Sequence, residues 1–170
     1  MTTLVLGGAR SGKSAHAEGL LTADDATYVA TARVDPADTE WQARIAAHVA
    51  RRPPGWRTVE PPDLPGYLTT AHGPVLVDDV ATWLTSVMDD HHAWDGDLGG
   101  VRRECDRLVA SVADCRAELV LVSSEVGLGV VPATRSGRLF RDQLGTLNAG
   151  LAEVCASVSL LVAGLPLRLR

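Results

Sequence analysis

Leu4-Val5-Leu6-Gly7-Gly8-Ala9-Arg10-Ser11-Gly12-Lys13-Ser14 fixes the class of this chain. An apolar run ends in glycine, and helix-forming residues continue from Lys13 to Leu21, so the order is strand, glycine loop, helix. Gly7 through Ser14 satisfy G-x-x-x-x-G-K-[ST], the loop that cradles nucleoside triphosphate phosphates. Gly7 and Gly12 are expected to permit backbone angles that other residues resist, letting successive amide N–H groups converge on phosphate oxygens at a helix start. Lys13 supplies a mobile cation for the β and γ phosphates, and the Ser14 hydroxyl can ligate magnesium. The helix macrodipole adds to the attraction. His16, one turn further on, reads as an exposed helix residue.

Outward from this loop, apolar strand candidates lie at Thr27 to Ala30, Val75 to Val77, Leu119 to Val122 and Val158 to Val162, separated by segments of helical period. That alternation predicts an α/β domain. Helices are expected over Thr39 to Arg51, capped by Asp38 and stopped by Pro53-Pro54-Gly55, and over Gly100 to Asp114 and Arg135 to Cys155. Met88 to Gly99, rich in Asp, His and Gly, reads as an exposed loop, and Leu165 to Arg170 could add an edge strand. A phosphate loop usually works with an acidic residue at a nearby strand end. Val75-Leu76-Val77-Asp78-Asp79 provides one, and Asp78, following the run immediately, is the better magnesium candidate. Asp79 is open to a second reading, as the cap of a helix starting near Ala81.

At 170 residues the chain has the length of a single domain, 1–170, able to bury most of its apolar surface without metals or disulfides. Hydrophobic residues make up 46% and charged residues 22%, a globular balance. The net charge of -5 argues against a general nucleic-acid binder, because such proteins need surplus cations to displace counterions. Cys105, Cys115 and Cys155 lie far apart without a CxxC pair, which points to small core residues in a reduced compartment. The amino terminus carries no basic, apolar or cleavage-site signature, and no apolar run is long enough for a membrane span. The cytoplasm is the expected location.

One helix candidate carries further chemistry. Trp41, Ile45 and Val49 recur every four residues as an apolar stripe, while Arg44, His48 and Arg51 share the neighbouring face. Two cations disfavour protonation of an imidazole between them, which would leave His48 a neutral nucleophile able to attack an α-phosphorus and expel pyrophosphate. Spacing alone favours the plainer alternative, an exposed or structural histidine. Glu125-Val126-Gly127-Leu128-Gly129 with Pro132 reads either as a binding loop at the carboxyl edge of the sheet or as a glycine turn. His91-His92 beside Asp89, Asp90 and Asp95 reads as a polar loop, and His72 as a turn residue. Arg135, Arg138 and Arg141, three apart, reach substrate phosphate, a subunit partner or water.

The loop Gly7 to Ser14, followed by Tyr28-Val29-Ala30-Thr31-Ala32, is more specific than the general pattern. With Arg44-Ile45, His48, Arg52-Pro53, Trp56-Arg57-Thr58-Val59-Glu60, Leu76-Val77-Asp78, Leu121 to Pro132 and Phe140-Arg141-Asp142, the chain resembles a family along nearly its whole length. That family comprises the bifunctional adenosylcobinamide kinases and adenosylcobinamide-phosphate guanylyltransferases of cobalamin biosynthesis. The resemblance implies a three-layer P-loop NTPase fold with a mostly parallel, RecA-like sheet, and a homotrimer. It also implies two reactions: phosphorylation of the aminopropanol hydroxyl of adenosylcobinamide by ATP or GTP, then transfer of GMP from GTP through an enzyme histidine to adenosylcobinamide phosphate.

By position, the resemblance makes His48 the histidine that accepts GMP. Gly7, Gly8, Ala9, Arg10, Ser11, Gly12, Lys13 and Ser14 become the nucleotide loop, and Ala30, Thr31, Ala32, Val49, Ala50, Arg51, Arg52 and Glu60 further nucleotide contacts. Asp78 and Ser14 become the Mg2+ residues. A carboxylate at Glu60 suits guanine, an acceptor-only group facing two adjacent donors. The chain also departs from the family pattern: Ser124 replaces a common Asn, Asp79 a common Cys, and Ala81-Thr82 a more usual Leu-Thr. None touches the phosphate loop or His48, whereas Ser124 bears on corrinoid binding and the kinase step.

Overall fold

The computed structural model describes residues 1–33, 46, 49, 50 and 52–170. Strand β1 (Thr2–Gly7) runs into helix α1 (Lys13–Leu20) and strand β2 (Thr27–Ala30), as the opening motif requires. Next come β3 (Arg57–Val59), α2 (Leu64–Thr70), β4 (Val75–Asp78) and α3 (Val80–Asp90). Helix α4 (Gly99–Asp114), β5 (Leu119–Ser124), α5 (Arg135–Val154), β6 (Ser157–Val162) and β7 (Leu165–Arg168) complete the order. The strands form one seven-stranded sheet in the order β3-β2-β4-β5-β1-β6-β7. Every pairing is parallel except β6 with β7, which form an antiparallel hairpin at the edge.

Side chains alternate between the sheet faces, so each central strand feeds two cores. Leu4, Leu6, Val75, Val77, Leu119 and Leu121 pack under α2 to α5 in the larger cluster. Val5, Tyr28, Leu76, Val120 and Val122 pack with Ala17 and Leu21 on the α1 side. Helices on both faces of a mostly parallel sheet give the three-layer P-loop architecture expected from sequence. At about 25 cal/mol per Å2 of apolar area, each fully buried leucine contributes on the order of 1.5–3 kcal/mol, and the interior strands bring several such residues to each layer.

One expectation needs correction. Met88 to Gly99 is not an exposed loop throughout: Met88 to Asp90 complete α3, Ala93–Asp95 form a 3-10 turn, and Met88 and Ala93 are fully buried. Trp94 stacks at a tilt on Phe140, 6.4 Å between ring centroids, while its indole N–H donates to Asp89, so the segment is strapped to α5. His91 and His92 are exposed at its start. In the predicted apolar stripe, Val49 is 53% exposed, so this chain's own core does not cover it. Ala46, Val49 and Ala50 are helical as expected, but Trp41, Arg44, Ile45, His48 and Arg51 lie outside the described residues.

Cys105, Cys115 and Cys155 are free thiols. Burial pushes Cys105 and Cys155 up to about 11, which suits inert core residues. Among the described residues, no helix is long and apolar enough to cross a membrane.

Candidate active site

Parallel strands deliver their carboxyl ends to one edge of the sheet, and the sequence puts its chemistry there. Gly7 ends β1, Ala30 ends β2, Glu60 follows β3, Asp78 ends β4 and Ser124 ends β5. Register sets Ala30 opposite Asp78 and Gly7 opposite Ser124. Strand β5 lies between β1 and β4, and Ser14, in the first turn of α1, reaches across it to Asp78.

The loop from Gly8 to Gly12 is held by its own backbone and by two neighbours. Ser11 N–H donates to the Gly8 carbonyl, Glu125 N–H to the Gly7 carbonyl (3.0 Å) and Gly164 N–H to the Ser11 carbonyl (3.1 Å). Gly164 and Ala163, with positive φ, form the β6–β7 turn, so that hairpin buttresses the loop from one side. Gly12 takes the left-handed region at φ 87, as the sequence reading requires. Gly7 does not, and its constraint is space: a Cβ there would lie 2.4 Å from Ser11 Oγ and 3.2 Å from the Leu161 carbonyl. Arg10, exposed, takes φ 57, an angle that non-glycine residues adopt at a cost of about 1–2 kcal/mol.

Lys13 Nζ donates to the Gly8 carbonyl at 3.3 Å, folded back over the loop. No side chain caps α1, whose first N–H groups open toward the loop. Ser14 and Asp78, 64 positions apart in sequence, meet at the loop's mouth, with Ser14 Oγ donating to Asp78 Oδ1 at 3.3 Å. A hydroxyl and a carboxylate are the hard oxygen donors that magnesium favours, so the two residues fit the ion assigned to them.

The second aspartate has a different position. Asp79 caps α3: Oδ1 accepts from Thr82 N–H at 2.7 Å and Thr82 Oγ1 at 2.6 Å, and Oδ2 from Ser124 Oγ at 3.2 Å. Thr31 Oγ1 donates to the Asp79 carbonyl at 2.7 Å and accepts from the Asp79 N–H at 3.0 Å, so the residue after Ala30 clips the end of β4. Ser123 Oγ and Ser124 O are both taken up by buried Asn148 of α5. The capping alternative for Asp79 is the one observed, and Ser124 is joined to it.

Tyr28 was not singled out from sequence. Its hydroxyl donates to Asp78 Oδ2 at 2.9 Å, and Arg52 Cζ stands 3.2 Å from its ring centroid. Burial, followed by the Asp78 charge, pushes the phenol well above its ordinary range. A tyrosine in an apolar strand was itself a signal, because a buried phenol seeks a partner. Arg52, whose Nη1 donates to Thr58 Oγ1 at 3.1 Å, is thereby brought to the Asp78 end of the site. Thr31 and Ala32 follow β2 at this edge, while exposed Glu60 stands at the β3 end, beyond β2. Val49 and Ala50 are exposed. His16 is half-buried rather than exposed.

The basic residues of α5 divide. Arg138 donates to the Pro132 and Ala133 carbonyls, Arg141 pairs with Asp142, and Arg135 lies over Gly96, so each has a contact within the chain. The loop after β5 leaves Leu128, Val130 and Val131 exposed.

Comparison with known proteins adds to this geometry. A family model described as cobinamide kinase / cobinamide phosphate guanyltransferase matches residues 3–169. A bifunctional adenosylcobalamin biosynthesis protein of Pseudomonas aeruginosa is 40% identical, over all of this chain and 98% of its own length. The protein of that description from Escherichia coli is 37% identical over the full length of both. Among solved structures, an ATPase of a bacterial type III secretion system aligns with a TM-score of 0.55 at 12% identity. It covers 95% of this chain and 51% of the ATPase chain, a likeness of fold alone.

Proposed function

This chain belongs to the cobinamide kinase / cobinamide phosphate guanyltransferase family, and from that premise we propose that it carries out both reactions at one triphosphate site, with His48 holding GMP between donor and acceptor. The observation that carries the reading is the meeting of Ser14 with Asp78, 3.3 Å apart, at the mouth of the Gly7 to Ser14 loop.

Backbone N–H groups of the loop and the Lys13 ammonium bind the β and γ phosphates. Ser14 and Asp78 hold magnesium, which supplies neutralisation of the triphosphate charge. In the kinase reaction the acceptor hydroxyl oxygen bonds to the γ-phosphorus while the bond to the β–γ bridging oxygen breaks, releasing a nucleoside diphosphate. In the transfer reaction an imidazole nitrogen of His48 bonds to the α-phosphorus and pyrophosphate leaves. A phosphate oxygen of the acceptor then displaces the imidazole, giving adenosylcobinamide-GDP. Arg51 and Arg52 hold the nucleotide beside His48, with Ala30 to Ala32, Val49 and Ala50 closing around it, and Glu60 accepts from the guanine edge.

The protein works in the cytoplasm as a homotrimer. Leu165, Leu167 and Leu169 alternate along and just beyond the β7 edge strand and are all more than half exposed, an apolar surface suited to a second copy.

Separate assays of the two reactions test the proposal. With adenosylcobinamide as acceptor, His48→Ala retains phosphorylation; with adenosylcobinamide phosphate and GTP, it loses guanylyl transfer by at least about a thousandfold, as removal of a covalent nucleophile does. Retention of guanylyl transfer by this variant would leave a direct displacement without the histidine.

A further inference from the structure

We propose that Tyr28, a strand residue outside the nucleotide motifs, positions both ends of the site: its hydroxyl orients the Asp78 carboxylate toward the metal, and its ring seats the Arg52 guanidinium against the nucleotide. The inference rests on the assignment of Ser14 and Asp78 to magnesium and of Arg52 to the nucleotide.

Tyr28 sits in β2 between β3 and β4, 5% exposed, with its ring packed in the α1-side core. A side chain so confined has little rotamer freedom, so what it touches is held in place. Its hydroxyl donates to Oδ2 of Asp78, while Oδ1 faces Ser14, so each carboxylate oxygen has its own partner and the plane of the group is fixed. A tyrosine hydroxyl keeps its proton through the physiological range, so it faces the Asp78 carboxylate as a donor.

The ring face does separate work. Arg52 lies over it at 3.2 Å, and its Nη1 is tethered to Thr58 of β3. Its Nε is buried and has no hydrogen-bond partner among the described residues. Guanidinium groups stack on aromatic faces and bind phosphate through a planar fork, so stacking on Tyr28 and the tether to Thr58 hold the Arg52 fork in a fixed place from which it can meet an anion. Mere filling of the core would explain the ring, and that its hydroxyl has a partner, but neither the choice of the Asp78 carboxylate as that partner nor the stacked cation.

The two roles separate by substitution in the full-length protein. Tyr28→Phe removes only the hydroxyl, and Tyr28→Leu removes the ring as well. Mn2+ binding to the complex with guanosine 5′-(α,β-methylene)triphosphate, followed by electron paramagnetic resonance, reads the metal end. Affinity for the same nucleotide in EDTA reads the Arg52 end, and melting temperature is recorded for each variant.

Tyr28→Phe is expected to weaken Mn2+ binding about tenfold, the size of one hydrogen bond to a carboxylate, and to leave metal-free nucleotide affinity unchanged. Tyr28→Leu is expected to lower that metal-free affinity as well. Parental Mn2+ affinity in Tyr28→Phe overturns the proposal, as does equal metal-free affinity in a folded Tyr28→Leu variant. Should the leucine variant not fold, Tyr28→Phe decides alone, because loss of metal-free affinity with the ring intact also contradicts the two-part role. Guanylyl transfer is not a readout, so failure to form a GMP-histidine leaves these outcomes interpretable.

Discussion

A methyl group at position 7 has nowhere to go: it would lie 2.4 Å from Ser11 Oγ and 3.2 Å from the Leu161 carbonyl. Gly7→Ala is therefore expected to cost about 1–3 kcal/mol by chemical denaturation, through displacement of the loop. Gly8→Ala, with nothing within 4 Å of the added carbon, is expected to change stability by less than about 0.5 kcal/mol. Equal losses in the two variants would contradict the spatial explanation. Tyr28 makes a second prediction, in pH. Its folded pKa is raised above the ordinary 10.0, so the stability it contributes is complete below pH 10.0 and declines as pH rises above it, where the unfolded chain releases a proton that the folded chain retains. Alkaline denaturation curves should fall less steeply above that pH for Tyr28→Phe than for the parent.

Helix α3 depends on a single side chain for its start. Asp79 accepts from both the N–H and the hydroxyl of Thr82, and Asp79→Ala is expected to lower stability by about 1–2 kcal/mol, a fall of ~2–8 °C in melting temperature. An unchanged melting point would contradict the capping role. That element shows what sequence can and cannot reveal. Its beginning was legible because a capping aspartate precedes an apolar helical run, but its end was misread because Asp89, Asp90, His91 and His92 describe only the outward side. Met88 and Ala93 face the core, and Trp94 packs across to Phe140, contacts with α5 that no local pattern records. Helix α2 was missed for a related reason: Pro65 and Gly66 resemble loop residues, although proline suits a helix's first turn. Strand β3 is three residues long, too short for alternation to register.

For the molecule as a whole, the phosphate loop was legible because its fixed residues are adjacent in sequence, and Asp78 because an apolar strand ends in it. Tyr28 was not, because its partnership with Asp78 and Arg52 is made across strands and depends on the β2–β4 register. If the exposed apolar face of the β6–β7 edge is the proposed subunit contact, sedimentation is expected to show a trimer, and Leu167→Glu, at a position 56% exposed in one chain, a smaller species. A monomeric parent would contradict that assignment. The hairpin also touches the phosphate loop through the Gly164 N–H bond to the Ser11 carbonyl, which places the proposed subunit surface beside the nucleotide site. The central claim, that an imidazole carries the guanylyl group, is tested most directly by peptide mapping under alkaline conditions after incubation with GTP and magnesium. The predicted result is GMP bonded to the imidazole of His48; an unmodified protein, or GMP on another residue, would contradict it.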